Sequence, residues 1–323
     1  MSPETQSPQW MWYFIGLYFF VGGVSAGAYF LGSLIELFGN PASERQRVIS
    51  RTAYYIAFPL ILIAPVLLIG DLGQPLRFWH LMLRADSKLP ILNLQSPMSV
   101  GSWALLVYGA MAFASFYDNL VADGRVRFAP LAGLYNRIPR KIYAAVGSVA
   151  GFFVAGYTGV LLNITARPFW AATDPLVGFL FMASAGSTGA AAVYIALTLR
   201  RLAARRRVQA GAAGAAAAPV LAADLEPFEH YDRLLKFVEL GLAVAIVVVA
   251  GSYAAPLLRG PLALMFWLGA VGLGTVLPIA INWFGNRPGG RTVLAPWLAL
   301  LMGLLVLLGG ALLRISIVQA GQL

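Results

Sequence analysis

Apolar residues in this chain neither alternate nor form stripes. They run in eight long blocks, near 11–38, 52–70, 98–118, 141–164, 175–200, 236–255, 262–284 and 293–317, with polar connections between them. A helix needs about 20 apolar residues to cross a hydrocarbon core about 30 Å thick, and each block is of that order. The pattern predicts an all-α integral membrane protein with eight transmembrane helices, grouped as two four-helix bundles. Pro59, Pro65 and Pro278 fall inside blocks, where membrane helices tolerate proline because neighbours re-satisfy the freed backbone. The first block exceeds a signal-peptide core of roughly 7–15 residues, and Met1–Gln9 holds no Lys or Arg. This helix is therefore expected to remain in the mature protein.

The organisation reads as a single membrane domain over 1–323. Residues 1–200 supply the first bundle and the fifth helix, 201–223 an Ala/Gly/Arg-rich linker, and 224–323 helices six to eight. The linker composition fits a tether and a short surface helix equally. The first and fifth helices share Ser25-Ala26-Gly27 and Ser184-Ala185-Gly186. A parallel repeat about the membrane normal produces such a pair, and so does chance in a chain this rich in Ala and Gly. Gly147, Gly151, Ala155 and Gly159 recur every four residues and so line one face of the fourth helix. Such small-residue faces let helix backbones approach closely in lipid.

Composition excludes a soluble domain: 59% of residues are hydrophobic and 11% charged, against about half and a quarter in soluble chains. Charge then sets orientation. Seventeen of the 23 Lys and Arg residues lie in or beside the connections after helices one, three, five and seven. By the positive-inside rule those connections are cytoplasmic and both termini are outside. The net charge of +10 reads as topology and attraction to anionic lipid, not nucleic-acid binding.

Chemistry concentrates in Asp71-Leu72-Gly73-Gln74-Pro75-Leu76-Arg77-Phe78-Trp79-His80, where the second block leaves the hydrocarbon on the outer side. Ionisable groups at that depth call for a ligand, a proton or a partner; interfacial anchoring by Trp, Arg and His is the plainer account. Tyr157 lies six residues before Asn163, about 9 Å below the outer end of the fourth helix. Tyr18 is at similar depth on the first, and His80 and Arg167 stand at the outer border. Glu36, Asp118 and Glu239 lie near the cytoplasmic ends of helices one, three and six, beside Arg45, Arg125 and Lys236 in sequence. They read either as solvated or paired interfacial groups or as a proton entry path, although no continuous polar track is visible between them and the outer side. The chain has no cysteine, which excludes a cysteine-ligated iron–sulfur cluster and a disulfide. Its two histidines, His80 and His230, fall on opposite sides of the bilayer, so they are not expected to share a haem. No metal site is expected.

The stretches GGVSAGAYFLG (Gly22–Gly32), DLGQPLRFWHLMLR (Asp71–Arg84), SPMSVGSWALL (Ser96–Leu106), GYTGVLLNITARPFW (Gly156–Trp170), FMASAGSTGAA (Phe181–Ala191) and LRISIVQAGQ (Leu313–Gln322) together resemble the NrfD family. These are the membrane subunits that accompany polysulfide reductase and related molybdenum enzymes. The resemblance implies a haem-free, eight-helix protein of the bacterial inner membrane that binds a quinone or quinol (menaquinone or ubiquinone) near the outer face. It implies docking onto a ferredoxin-like iron–sulfur subunit, and through it onto a molybdopterin catalytic subunit. It makes Asp71 the candidate for proton exchange, with Tyr18, Arg77, His80, Tyr157 and Arg167 as quinone-binding candidates. One departure stands out: some polysulfide reductase subunits carry an asparagine and a histidine on the first helix, where this chain has Tyr13 and Tyr18.

Two other function classes fit parts of the pattern. A secondary transporter would use the outer polar groups as a gate, but such proteins place substrate sites near the midplane, where these blocks read as almost uncharged. A passive anchor for a peripheral enzyme explains the topology but leaves the outer polar groups without a role.

Overall fold

A computed structural model describes residues 11–40, 43–72, 74–82, 93, 95–126, 140–165, 167–209, 226–285 and 296–323. Among them are eight helices long and apolar enough to cross a membrane and no strand. The chain is a multi-pass membrane protein. The spans are α1 (Trp12–Phe38), α2 (Glu44–Gly70), α3 (Pro97–Ala122), α4 (Arg140–Asn163), α5 (Leu176–Gln209), α6 (Glu226–Ala250), α7 (Gly260–Gly285) and α8 (Pro296–Ala320).

Local chemistry sets several ends. Ser43 accepts the Gln46 N–H at 3.4 Å to cap α2. Ser96 accepts the Ser99 N–H at 3.5 Å ahead of Pro97, which opens α3; a proline costs nothing in a first turn whose N–H groups lack helical partners anyway. Pro59 and Pro65 sit inside an unbroken α2. Gly251 and Gly260, both at positive φ, end α6 and start α7.

Helices α5 and α6 differ in extent from the sequence reading. Helix α5 runs on through Gln209, so residues 201–209 of the expected linker are helical, and 210–225 lie outside the described residues. At 1.5 Å per residue its 34 residues span about 51 Å, far more than the bilayer core needs. Helix α6 begins at Glu226, ten residues before the expected start. Lys236, which reads in sequence as a cation of a cytoplasmic connection, is a buried helix residue, 2% exposed. Helix α7 is π-helical over Met265–Val276.

Helices α1 and α5 form the centre. Their apolar windows are 72% and 78% buried, against 28% for α2 and for α6 with its continuation. They meet at the two small-residue patches: a Cβ on Gly27 would overlap the Ala185 carbonyl, and one on Gly189 would overlap the Gly27–Ala28 backbone. The two patches that suggest a repeat are thus each other's packing surface. On α4, Gly147 makes room for the Tyr29 hydroxyl of α1 and Gly159 for the Gly178 backbone of α5, as a small-residue face predicts. Outward residues such as Val66, Val149, Val248 and Leu304 remain exposed and apolar, the surface lipid requires.

Connections gather at two ends. Met11 meets Asp71, and Trp170 meets Ile317, so the described N-terminal residues, the ends of α2 and α4 and the last turn of α8 share one end, here the terminal end. Arg51 with Asp123, Arg140 with Asp118 and Arg200 with Thr52 share the other, the basic end.

Candidate functional site

At the terminal end, Asp71 follows the last residue of α2, and its Oδ1 accepts the backbone N–H of Met11 at 2.9 Å. Met11 is the cap residue of α1, so this carboxylate ties two helix ends together and faces the positive end of the α1 dipole. Partial burial pushes the Asp71 carboxyl above its ordinary value, and the Met11 N–H offsets part of that.

Tyr18 of α1 and Tyr157 of α4 are both buried and close enough for their hydroxyls to interact electrostatically. Tyr157 donates to the Pro97 carbonyl in the first turn of α3, and Gly101 leaves room for its ring. Phe153 stacks on Tyr157 with 5.6 Å between ring centroids. Tyr13 is exposed, with its hydroxyl donating to the Met11 sulfur at 3.0 Å.

Tyr18 and Tyr157 lie within electrostatic reach of one another, and Asp71 stands where α1 begins and α2 ends. Arg77 and His80 are exposed on a 3₁₀ segment, Pro75–Leu81, with the His80 ring 3.7 Å from that of Trp79. Leu76, Phe78 and Trp79 are exposed on the same segment, which suits an interface between water and lipid. Its far end is pinned to α3 by Ser99 and Trp103, which donate to the Met82 carbonyl at 3.1 and 3.0 Å. Arg167 is half-buried at the start of the short helix Pro168–Ala172.

The three deeper carboxylates separate into two assemblies. Glu36 and Asp118 share Arg140, whose Nε lies 3.0 Å from Glu36 Oε1 and 2.6 Å from Asp118 Oδ2. Tyr54 donates to Glu36 at 2.9 Å. From this cluster a series of neutral groups climbs between α1, α3 and α4. Arg140 donates to Asn119, Asn119 to the Ser115 carbonyl, and the Ser115 hydroxyl bonds Tyr29 at 2.8 Å. Tyr29 meets Tyr108 edge to face, and Tyr108 bonds Ser25 at 2.8 Å. A polar track that the sequence does not reveal therefore runs through much of the first four helices.

Glu239 belongs elsewhere. It is buried near Ser184 and lies within electrostatic reach of Arg314 and Lys236. Arg314 is fully buried; its Nη1 donates to Ser184 Oγ at 2.9 Å and the Gly310 carbonyl at 3.0 Å, and its Nη2 to the Phe181 carbonyl at 3.3 Å. Its guanidinium rests against Gly23, ten residues into the first span. That is about 15 Å deep, the middle of a core about 30 Å thick. The expectation of a nearly uncharged midplane is thereby corrected. Sequence reasoning misses Arg314 because its partners are 130 and 133 residues away; its lone charge in an apolar block is the signal that could have found it.

Over residues 2–323 the chain matches the family model described as Polysulphide reductase, NrfD. The chain belongs to the NrfD family. It is 26% identical to Protein NrfD of Escherichia coli (strain K12), covering 98% of this chain and 96% of that one. It is 30% identical to one of the chains of the polysulfide reductase of Wolinella succinogenes, covering 97% and 94%. With one of the subunits of the selenate reductase of Mesobacillus selenatarsenatis it shares 25% identity, over 87% of this chain and 68% of that one.

In this NrfD chain the resembling stretches pack on one another. Gly22–Gly32 and Phe181–Ala191 make the α1–α5 contact. Gly156–Trp170 carries Tyr157 and also Trp170, whose Nε1 donates to the Ile317 carbonyl in the C-terminal stretch at 2.8 Å. Below the tyrosine pair, an apolar cavity of about 420 Å³ is lined by Gly27, Phe30, Ala155, Met182, Ala185 and Leu235, among others. Ala155 is two residues from Tyr157, so the cavity lies on the midplane side of the pair. Among the described residues no group of three or more His, Cys, Asp or Glu is placed to hold a metal.

Proposed function

We propose that this NrfD chain is the quinone- or quinol-reactive membrane subunit of a respiratory oxidoreductase. The observation that carries the reading is the gathering at the terminal end of two buried tyrosines, Tyr18 and Tyr157, within electrostatic reach of one another, with Asp71 at the start of α1 and an apolar cavity toward the midplane. An amphipathic ligand with a polar, redox-active head and an apolar tail fits that order of groups. Such a ligand supplies two-electron, two-proton chemistry when bound, which a chain without cysteine does not supply by itself. Tyr157 orients the head: its hydroxyl exchanges the Pro97 carbonyl for a ligand oxygen. Asp71 takes or gives the proton at the terminal face, with Arg77, His80 and Arg167 as neighbouring positive or hydrogen-bonding groups. Electrons pass to a ferredoxin-like iron–sulfur subunit, and through it to a molybdopterin subunit, docked on that face. The names of the polysulfide and selenate reductase relatives support membership of such a complex.

The positive-inside rule supports a basic end in the cytoplasm of a bacterium and a terminal end outside. Gln6→Cys and Gln319→Cys are expected to react with an impermeant thiol reagent in intact cells, and Arg206→Cys to be spared. The reverse pattern moves the site to the cytoplasmic face.

The deciding experiment is Asp71→Asn in the assembled complex. The change keeps size and hydrogen bonding but removes the ionisable proton, and general acid–base assistance is worth about 10²–10⁴-fold. Quinone-coupled turnover is expected to fall by that order while assembly and activity toward artificial dyes persist. Turnover near wild type would reduce Asp71 to a tie between α1 and α2. Acidification tests the same group. Quinol oxidation needs the ionised carboxylate as acceptor, so the rate of the wild type is expected to drop at a pH above the ordinary carboxylate range, and Asp71→Asn to lack that limb.

A further inference from the structure

At the basic end, α2, α3 and α5 bring three arginines to one corner that the quinone reading leaves unused. Arg51 of α2 pairs with Asp123, the residue that follows α3, at 2.8 Å. The other Asp123 oxygen accepts the Tyr55 hydroxyl at 2.6 Å, and Arg125 lies over the Tyr55 ring at 5.8 Å. Arg200 of α5 donates to Thr52. Thr52 and Arg51 lie three and four residues before Tyr55, so all these contacts meet on one stretch of α2 surface.

Asp123 does not account for all three. Each of its oxygens already accepts a donor, and the Arg51 Nε is buried without a hydrogen-bond partner among the described residues. With the neighbouring Glu36, Asp118 and Arg140 included, the corner holds four arginines and three carboxylates. One positive charge is left over, and one phosphodiester carries its opposite. The planar guanidinium fork matches phosphate geometry. Depth and surroundings select a lipid phosphate. Arg51 stands 19 residues before Gly70, the last residue of α2, about 29 Å along the axis. A hydrocarbon core about 30 Å thick that begins at the terminal end of α2 therefore ends at Arg51. Just inside that level, Phe116 lies 5.5 Å from Tyr55 and 4.9 Å from Phe58, and Phe113 lies 5.3 Å from Phe58. Phe113 and Leu62 are exposed on this ledge, an outer surface along which an acyl chain can lie.

We propose that Arg51, Arg125 and Arg200 form a binding site for the phosphate of an anionic phospholipid in the leaflet at the basic end. Its acyl chain lies along the ledge of Phe58, Phe113 and Phe116. Basic pockets between membrane helices on the cytoplasmic side bind such headgroups. Arg51 keeps Asp123 as its counter-charge, while Arg125 and Arg200 turn their remaining N–H donors to the phosphate. The bound lipid clamps together the basic ends of α2, α3 and α5, which come from three separate parts of the chain. The site does not depend on the quinone reading.

The test uses the full chain, washed free of lipid in a neutral detergent, with Tm read as dioleoylphosphatidylglycerol is titrated. A ligand that binds only the folded state raises Tm. Wild type is expected to gain several degrees, saturably, and to gain nothing from dioleoylphosphatidylcholine or from inorganic phosphate. Arg125→Gln and Arg200→Gln should each raise the half-saturating lipid concentration about tenfold, the worth of one hydrogen bond between charged groups. Arg205→Gln combined with Arg206→Gln removes two charges farther along α5 and should leave that concentration unchanged. An equal loss in this control would reduce the effect to net charge and overturn the site. A wild-type response in Arg125→Gln, or an equal gain from phosphatidylcholine or inorganic phosphate, would overturn it too. If Arg200→Gln does not fold, Arg125→Gln, at an exposed residue, decides alone.

Discussion

The first four helices and the last four bury polarity in different forms. Between α1, α3 and α4 the buried groups are mostly neutral: Ser25, Tyr29, Tyr108, Ser115 and Asn119 satisfy one another, and the charges of Glu36, Asp118 and Arg140 stay toward the basic end. Between α5, α6 and α8 full charges lie at mid-depth, with Arg314 fully buried and Lys236 and Glu239 nearly so. The difference teaches how each half responds to change. A neutral hydroxyl that loses its partner forfeits about 0.5–1.5 kcal/mol, whereas a buried ion that loses its counter-charge costs several times more.

The largest effect is therefore expected from Arg314→Leu. It strands Glu239 and should destabilise the protein by about 3–5 kcal/mol, read as a lower Tm and yield in detergent. The double variant Arg314→Leu with Glu239→Leu should recover most of that stability. If the single and double variants are equally damaged, Glu239 does not depend on Arg314 and the contrast between the halves fails.

Smaller effects are expected in the first half. Tyr157→Phe removes the bond to the Pro97 carbonyl and the hydroxyl offered to the ligand. It should raise the apparent quinone KM more than it lowers kcat, with a stability loss of about 1 kcal/mol. Tyr108→Phe breaks only the bond to Ser25, which still donates to the Ala57 carbonyl at 2.7 Å. It should cost about 1 kcal/mol or less in stability and leave turnover unchanged. A stability loss in Tyr108→Phe as large as that of Arg314→Leu would erase the difference between the halves.

The eight spans, the alternating topology and the family resemblance are all legible in the sequence, since run length, loop charge and motif order are local properties. The Asp71 and Tyr157 motifs are legible too, but not that Asp71 reaches Met11 or that Tyr157 is engaged by Pro97. Sequence neighbours also misdirect the pairing of carboxylates. Asp118 stands near Arg125 in the chain, yet Arg140 holds it, and Arg125 lies over the Tyr55 ring at 5.8 Å. The ten residues from Glu226 read as a loop because their charges resemble one.

By itself, then, the sequence determined that the chain crosses a membrane eight times and which end is basic, because a hydrocarbon layer selects on length and polarity alone. Only the tertiary structure decided which charges are buried and with whom. Arg314 of α8 bonds Ser184 of α5, and Tyr157 of α4 bonds Pro97 at the start of α3. Such pairings depend on helix rotation and depth, which side chains far apart in the chain fix together as they pack.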